Sequence, residues 1–235
     1  LQAALGQSTP GARPVFLSQV HGTGVAALTA STPDNTEADA CVATDAGVVC
    51  TIMVADCLPV LLAHTSGAVV GAAHAGWRGL AGQSGVGVLE SAMRALFERF
   101  QALALTNKAQ AAIENVANNA ESFEAVARGT LAWLGPCIGP QAFEVGPEVR
   151  EALCAAGPQY SACFVPSPTQ QGKWLADLAG LARLRLQAMG VTRIYGNDSS
   201  AAWCTVTQSA RFFSHRRDTA LLGGSGRLAA CIWRG

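Results

Sequence analysis

The sequence predicts an α+β protein, and three observations carry that prediction. Short apolar runs rich in β-branched residues crowd the first third of the chain. Amphipathic helical patterns come later, and the two do not alternate as a βαβ series would require. The last apolar run, Arg227–Trp233, closes the chain and reads as a strand locked into a sheet.

In chain order, Arg13–Val20 and Gly24–Thr29 read as a strand pair broken at His21 and Gly22. Ala38–Ala43, Gly47–Ala55, Leu58–His64 and Ala68–His74 follow as short strands separated by Asp, Gly and Pro signals. The run Gly47–Trp77 is apolar enough to raise the question of a membrane span. Asp56, Pro59, His64, Ser66 and His74 interrupt it, so it reads as buried strands instead. Ser84–Phe100 is the first helix, with Val86, Leu89, Met93, Leu96 and Phe97 on one stripe. Lys108–Ala127 is a polar, Ala-rich helical stretch with a weak stripe of Ile113, Val116, Phe123 and Val126, expected as a surface excursion. Leu131–Leu134 is a strand running into the turn-rich GPCIGP loop. Pro147 opens a helix through Ala156, since proline suits the first helical position. Trp174–Met189 is an amphipathic helix closed by Gly190. Val191–Tyr195 and Phe212–Ser214 read as strands.

The chain has 235 residues, half of them hydrophobic and 14% charged, with no net charge. That supports a sizeable core in one large domain or two small ones. It carries no basic footprint for nucleic acid or an anionic membrane. The eight cysteines are scattered through apolar runs without a C-x-x-C pair, so reduced thiols in a cytoplasmic protein are expected. The chain opens on Leu1, and Leu1–Gly11 has no secretory layout, which suggests that the protein's N-terminus lies further upstream. No internal repeat, low-complexity tract or linker is visible.

Chemistry concentrates at His21 in SQVHG, Cys57 in VADCLPV and His74 in HAGWRG, each where an apolar run meets a Gly or Pro turn. Two imidazoles and a thiolate suit zinc or copper, and three protein ligands leave a position open for water or substrate. Taken singly, His21 reads more readily as a core histidine and Cys57 as inert packing; their neighbours shift that balance. Beside His74, Trp77 offers a stacking plane and Arg78 a bidentate anion fork. His64 has no rigid turn behind it and reads as solvated. His215 lies beside the basic pair Arg216 and Arg217, which disfavours a cation and leaves a neutral hydrogen-bonding ring. One arginine of that pair could reach inward, with Asp218 orienting it. Cys137 in GPCIGP is either a pocket thiol or packing in a tight turn. No Walker loop, dinucleotide fingerprint, H-E-x-x-H, G-x-S-x-G or zinc-deaminase P-C-x-x-C is present.

The ordered set QVHG, ADCLPV, HAGWRG, WLGPCIGPQAFEVG, FFSHRRD and RLAACIW closely resembles the YfiH family, also called the laccase-domain or polyphenol-oxidase-like family, whose members are purine nucleoside phosphorylases. The likeness covers most of residues 13–235. It implies one domain with a central mixed β-sheet core flanked by helices. It makes His21, Cys57 and His74 the metal and catalytic trio, with zinc favoured and copper reported for relatives. It implies phosphorolysis of adenosine, and of inosine, guanosine and methylthioadenosine, with adenosine deamination as a side activity. The partners it implies are purine nucleosides and phosphate. Arg78 becomes a phosphate or ribose contact, and Cys137 falls in a loop near the same pocket. Arg216 or Arg217 would join Arg78 on the phosphate, while Trp77 or Phe143 would stack on the purine.

Three departures stand out. The family's opening T-T-R and G-G-V-S type motifs are missing, His215 replaces the common tyrosine of FFSYRRD, and 101–130 looks like a helical insertion. Three rival readings keep the same residues: a metal-independent cysteine hydrolase or deamidase built on Cys57 and a histidine, a copper-dependent polyphenol oxidase, and a non-catalytic metal-binding interaction domain. Either a monomer or a homodimer is compatible with the sequence.

Overall fold

The computed structural model describes residues 1–111 and 122–235. A short helix, α1 (Gln2–Ser8), leads into β1 (Arg13–Ser18), β2 (Val25–Leu28), β3 (Thr36–Glu37), β4 (Ala40–Ala43), β5 (Val48–Val54), β6 (Leu58–His64) and β7 (Val70–Ala75). Then come α2 (Trp77–Ala81), α3 (Val88–Ala111), α4 (Phe123–Gly129), β8 (Thr130–Leu134), β9 (Glu144–Val145), α5 (Pro147–Cys154), β10 (Phe164–Pro166), β11 (Trp174–Ala176), α6 (Leu178–Ala188), β12 (Arg193–Gly196), α7 (His215–Leu222) and β13 (Leu228–Ile232).

The strands form a six-stranded mixed sheet in the order β12-β8-β6-β7-β4-β2, a four-stranded mixed sheet β13-β5-β1-β3, and a small antiparallel sheet β10-β11-β9. The large sheet is covered on both faces, which is why its strands read as continuous apolar runs rather than alternating ones. Side-chain alternation sorts the two layers. Leu58, Val60 and Leu62 of β6, with Ala73 and Ala75 of β7, face Leu89, Met93 and Leu96 of α3 and Leu181 of α6. Leu61 and Ala63 of β6, Ala72 of β7 and Cys41 of β4 face Val15, Cys50 and Ile52 of the four-stranded sheet. The central mixed sheet flanked by helices is therefore present, with a second mixed sheet on its other face. All eight cysteines are free thiols.

The differences from the sequence expectations have local causes. β1 and β2 are not a pair: β1 lies between β3 and β5, while β2 pairs with β4 at the edge of the large sheet. The connection through His21 thus crosses between sheets. The helix expected from Trp174 begins at Leu178, because the Asp177 side chain accepts from Gly180 N–H as an N-cap and Trp174–Ala176 pairs as β11. Phe212–Ser214 is not a strand: Ser214 caps α7 by accepting from Arg217 N–H, and Asp218 reaches back to accept from Ser214 N–H. α3 starts later than Ser84 and runs on to Ala111, and Val86 lies before it, exposed. Of the stretch Lys108–Ala127, residues 112–121, with Ile113 and Val116, lie outside the described residues. Its far end is the separate helix α4, N-capped by Ser122, whose Val126 is buried. His64 is buried, not solvated: it packs on Phe100 at 4.4 Å and its Nδ1 meets Ser66 Oγ at 2.8 Å. Among the described residues, no helix is long and apolar enough to cross a membrane.

Candidate metal centre

The site forms where the chain leaves one sheet for the other. Past the end of β1, the Gln19 amide continues the ladder by accepting from Met53 N–H and donating to Met53 O, both at 2.8 Å. This holds the following turn against β5. His21 then adopts φ 62°, a left-handed conformation that a residue with a β-carbon takes only when its surroundings hold it there. They do: the Asp39 carboxylate accepts from the backbone N–H groups of Val20, His21 and Gly22 at 3.2, 2.9 and 2.6 Å. Cys57 follows Asp56, also left-handed at φ 83°, in the crossing from β5 to β6. His74 lies in β7, one residue before the strand ends.

These three side chains converge. One ligand atom from each of His21, Cys57 and His74 lies within 4.8 Å of the others, and the two imidazole rings meet edge to face at 4.7 Å. His74 is buried, with Nδ1 2.8 Å from Asp39 Oδ1. Burial works against ionising the Cys57 thiol, but hydrogen bonds and charge from His21 and His74 outweigh it and bring the thiol down to about 7. Burial also works against a cationic His74, but Asp39 and Cys57 prevail and lift the ring to about 9. For Asp39, burial is again opposed, here by His74 and the backbone N–H groups, and its carboxyl is held below the usual range. The donor set fits a borderline-soft ion. Two imidazoles and a readily ionised thiol stand close enough for small side-chain rotations to bring them onto zinc or copper.

The trio lines a cavity of about 390 Å³, within the range typical of small-molecule sites. Of the residues singled out in the sequence, Trp77, Phe143, His215 and Arg216 share its wall. Arg78, Cys137 and Arg217 do not. Arg78 is exposed, with its guanidinium stacked on the Trp77 ring at 4.4 Å. Cys137 is buried behind Ile138, and burial pushes its thiol far up. Its Sγ accepts from Asn197 Nδ2 at 3.3 Å. Arg217 is spent on structure, bonding Asp218 and the carbonyls of Thr205, Val206 and Phe212. Asp56 turns away from the trio, accepting from Thr205 Oγ1 at 2.5 Å and from Arg216 N–H at 2.6 Å, and so ties the start of α7 to the cavity wall. His215 Nδ1 meets Thr219 Oγ1 at 3.0 Å.

Sequence reasoning missed Arg227, Met53 and Leu178 in the wall, and Asp39 behind it. Asp39 alone left a readable signal: a carboxylate at the mouth of the apolar run Ala40–Ala43 demands buried partners.

The family model described as multi-copper polyphenol oxidoreductase laccase matches residues 1–107 and 104–235. The chain belongs to this laccase-domain family, which includes the proteins named YfiH. Purine nucleoside phosphorylase YfiH of Escherichia coli (strain K12) is 43% identical over 222 residues, covering 94% of this chain and 74% of that one. The Haemophilus influenzae purine nucleoside phosphorylase is 37% identical over 220 residues, with the same coverage of 94% and 74%. Among solved structures, the Neisseria meningitidis protein NMB0706 superposes with a TM-score of 0.73 at 37% identity, covering 99% of this chain and 79% of that one. YlmD from Geobacillus stearothermophilus gives 0.70 at 29% identity, covering 99% and 77%.

Proposed function

We propose that this chain is a zinc-dependent purine nucleoside phosphorylase that cleaves adenosine, and also inosine, guanosine and methylthioadenosine, with deamination of adenosine as a side reaction. The relatives' names support the reaction class. The observation that carries the reading is the composition of one cavity: His21, Cys57 and His74 together, the aromatic residues Trp77 and Phe143, and the cationic residues Arg216 and Arg227.

In phosphorolysis, a phosphate oxygen bonds to C1′ of the ribose as the C1′–N9 bond breaks. The electron pair leaves with the base, and the proton of hydrogenphosphate ends on it. Arg216 and, in place of Arg78, Arg227 hold the phosphate by charge-assisted hydrogen bonds. At the start of α7 the N–H groups of Arg216 and Arg217 are already taken by Asp56 and Ser214, which leaves the anion mainly to side chains. Trp77 and Phe143 offer faces to the purine. Arg78, stacked on Trp77, fixes the plane of that ring. His215, pinned at Nδ1 by Thr219, offers Nε2 for a hydrogen bond to ribose or base. Zinc at the trio would supply Lewis-acid polarisation and water activation near neutral pH, as the deamination of adenosine to inosine and ammonia requires.

The test is to incubate the purified protein with adenosine and phosphate and assay adenine and ribose 1-phosphate. Both should appear in equal amounts, with about one zinc per chain by elemental analysis and activity lost to a chelator. If none of the four nucleosides releases base, the reading fails. A second reading is favoured by the low pKa of Cys57: a cysteine hydrolase in which the thiolate attacks and a histidine acts as base. Stoichiometric zinc with chelator-sensitive turnover would sink it.

A further inference from the structure

We propose that Asp39 is the positioning residue of this site. Its one buried carboxylate selects the tautomer of His74 and holds the His21 turn, and so presents two of the three metal-ligating side chains. The inference rests on reading the trio as a metal centre.

Asp39 is 0% exposed and sits just before β4, on a different element from any of the trio. Oδ1 accepts from His21 N–H at 2.9 Å and lies 2.8 Å from His74 Nδ1. Oδ2 accepts from Gly22 N–H at 2.6 Å and Val20 N–H at 3.2 Å. The backbones are joined as well, since His74 N–H donates to Asp39 O at 2.7 Å. An ionised carboxylate only accepts, so His74 Nδ1 must carry a proton. In a neutral ring this leaves the lone pair on Nε2, the nitrogen free to take a metal. The same oxygen that fixes the ring also fixes the backbone of His21, so the two imidazoles are oriented by one group.

The asymmetry of the donors makes Asp39→Asn informative. The Oδ2 position faces two backbone N–H groups, including the shortest contact, and neither can become an acceptor. The amide oxygen must therefore take that position, and the NH₂ group must face His74 Nδ1. Nδ1 then has to accept, the proton moves to Nε2, and the metal-facing lone pair is lost. His21 N–H loses its partner as well.

The experiment reads the histidine tautomer by ¹⁵N NMR in metal-free protein, buffered above the raised His74 pKa of about 9 so that the ring is neutral. It also titrates zinc in competition with a chromophoric chelator. Wild type should show Nδ1–H at His74. D39N should show Nε2–H and a zinc Kd weakened by about 10- to 100-fold, with a circular dichroism spectrum like wild type's. A purely structural role would lower the thermal midpoint without moving the proton. Nε2–H in the wild-type ring would overturn the proposal, and this arm needs no variant to fold. So would a D39N protein that keeps both Nδ1–H and the wild-type zinc Kd. If the tautomer flips but wild type binds no zinc, positioning by Asp39 stands and the metal reading of the trio falls.

Discussion

Cys57→Ala is expected to lower phosphorolysis by about 10³-fold or more, the scale on which loss of a group acting at the reacting centre is felt. The thiol is the one soft donor of the trio and the only one brought by the β5–β6 crossing. Without it, two imidazoles remain, which bind zinc poorly and leave two positions open instead of one. The fold should survive. Cys57 is only half-buried, and its loss removes one sulfur from the wall of an open cavity, a change worth about 1 kcal/mol. Bound zinc, adenine release and the thermal midpoint, measured together, separate these effects. A variant that retains wild-type turnover would refute the site assignment.

Gly76→Ala should do nearly as much damage without touching a ligand. A β-carbon at Gly76 would sit 2.9 Å from Cys57 Sγ and 3.2 Å from His21 Cδ2, closer than packed atoms tolerate. The backbone at Gly76, φ −72° and ψ 165°, would accept alanine without strain, so the effect is steric and falls on the trio alone. Zinc affinity should fall by about 10²-fold, with destabilisation of about 1–3 kcal/mol as the overpacked groups shift. Gly6→Ala is the matched control. It lies in α1 with nothing near its β-carbon, so alanine there should be neutral or slightly stabilising. Equal zinc affinity in the two variants would show that the wall around Cys57 is looser than the structure has it.

Strand positions were legible because covered strands must be continuously apolar, and β6 matches the expected Leu58–His64 at both ends. The errors fall where polar side chains overrule periodicity. Asp177 caps the helix at Leu178 and leaves Trp174–Ala176 to pair as a strand, and Ser214 with Asp218 makes the end of the expected strand Phe212–Ser214 a helix start. The trio was legible from its turn chemistry. Of the cavity's cations, Arg216 was legible in FFSHRRD and Arg227 was not, because spacing carries no information on direction. Arg78 and Arg217 sit in suggestive motifs yet stack on Trp77 or tie down carbonyls, while Arg227, in an unremarkable run, lines the cavity with its guanidinium bonded to the carbonyls of Ser225 and Gly226. Asp39 could be suspected as a charge among apolar residues, but not that it serves residues on both sides of it in sequence.

His21 and Cys57 occupy two of the three places where the chain passes from the four-stranded sheet to the six-stranded one, and His74 anchors the cluster in β7. An ion held by all three would rivet those crossings together, so loading becomes part of the protein's stability and not only of its chemistry. Because the unfolded chain offers no such cluster, the folded state gains RT ln(1 + [Zn]/Kd), about 2.7 kcal/mol when free zinc is a hundredfold above Kd. Slippage of one sheet against the other would separate the ligands before it exposed the core. Loss of metal would then be the earliest sign of unfolding.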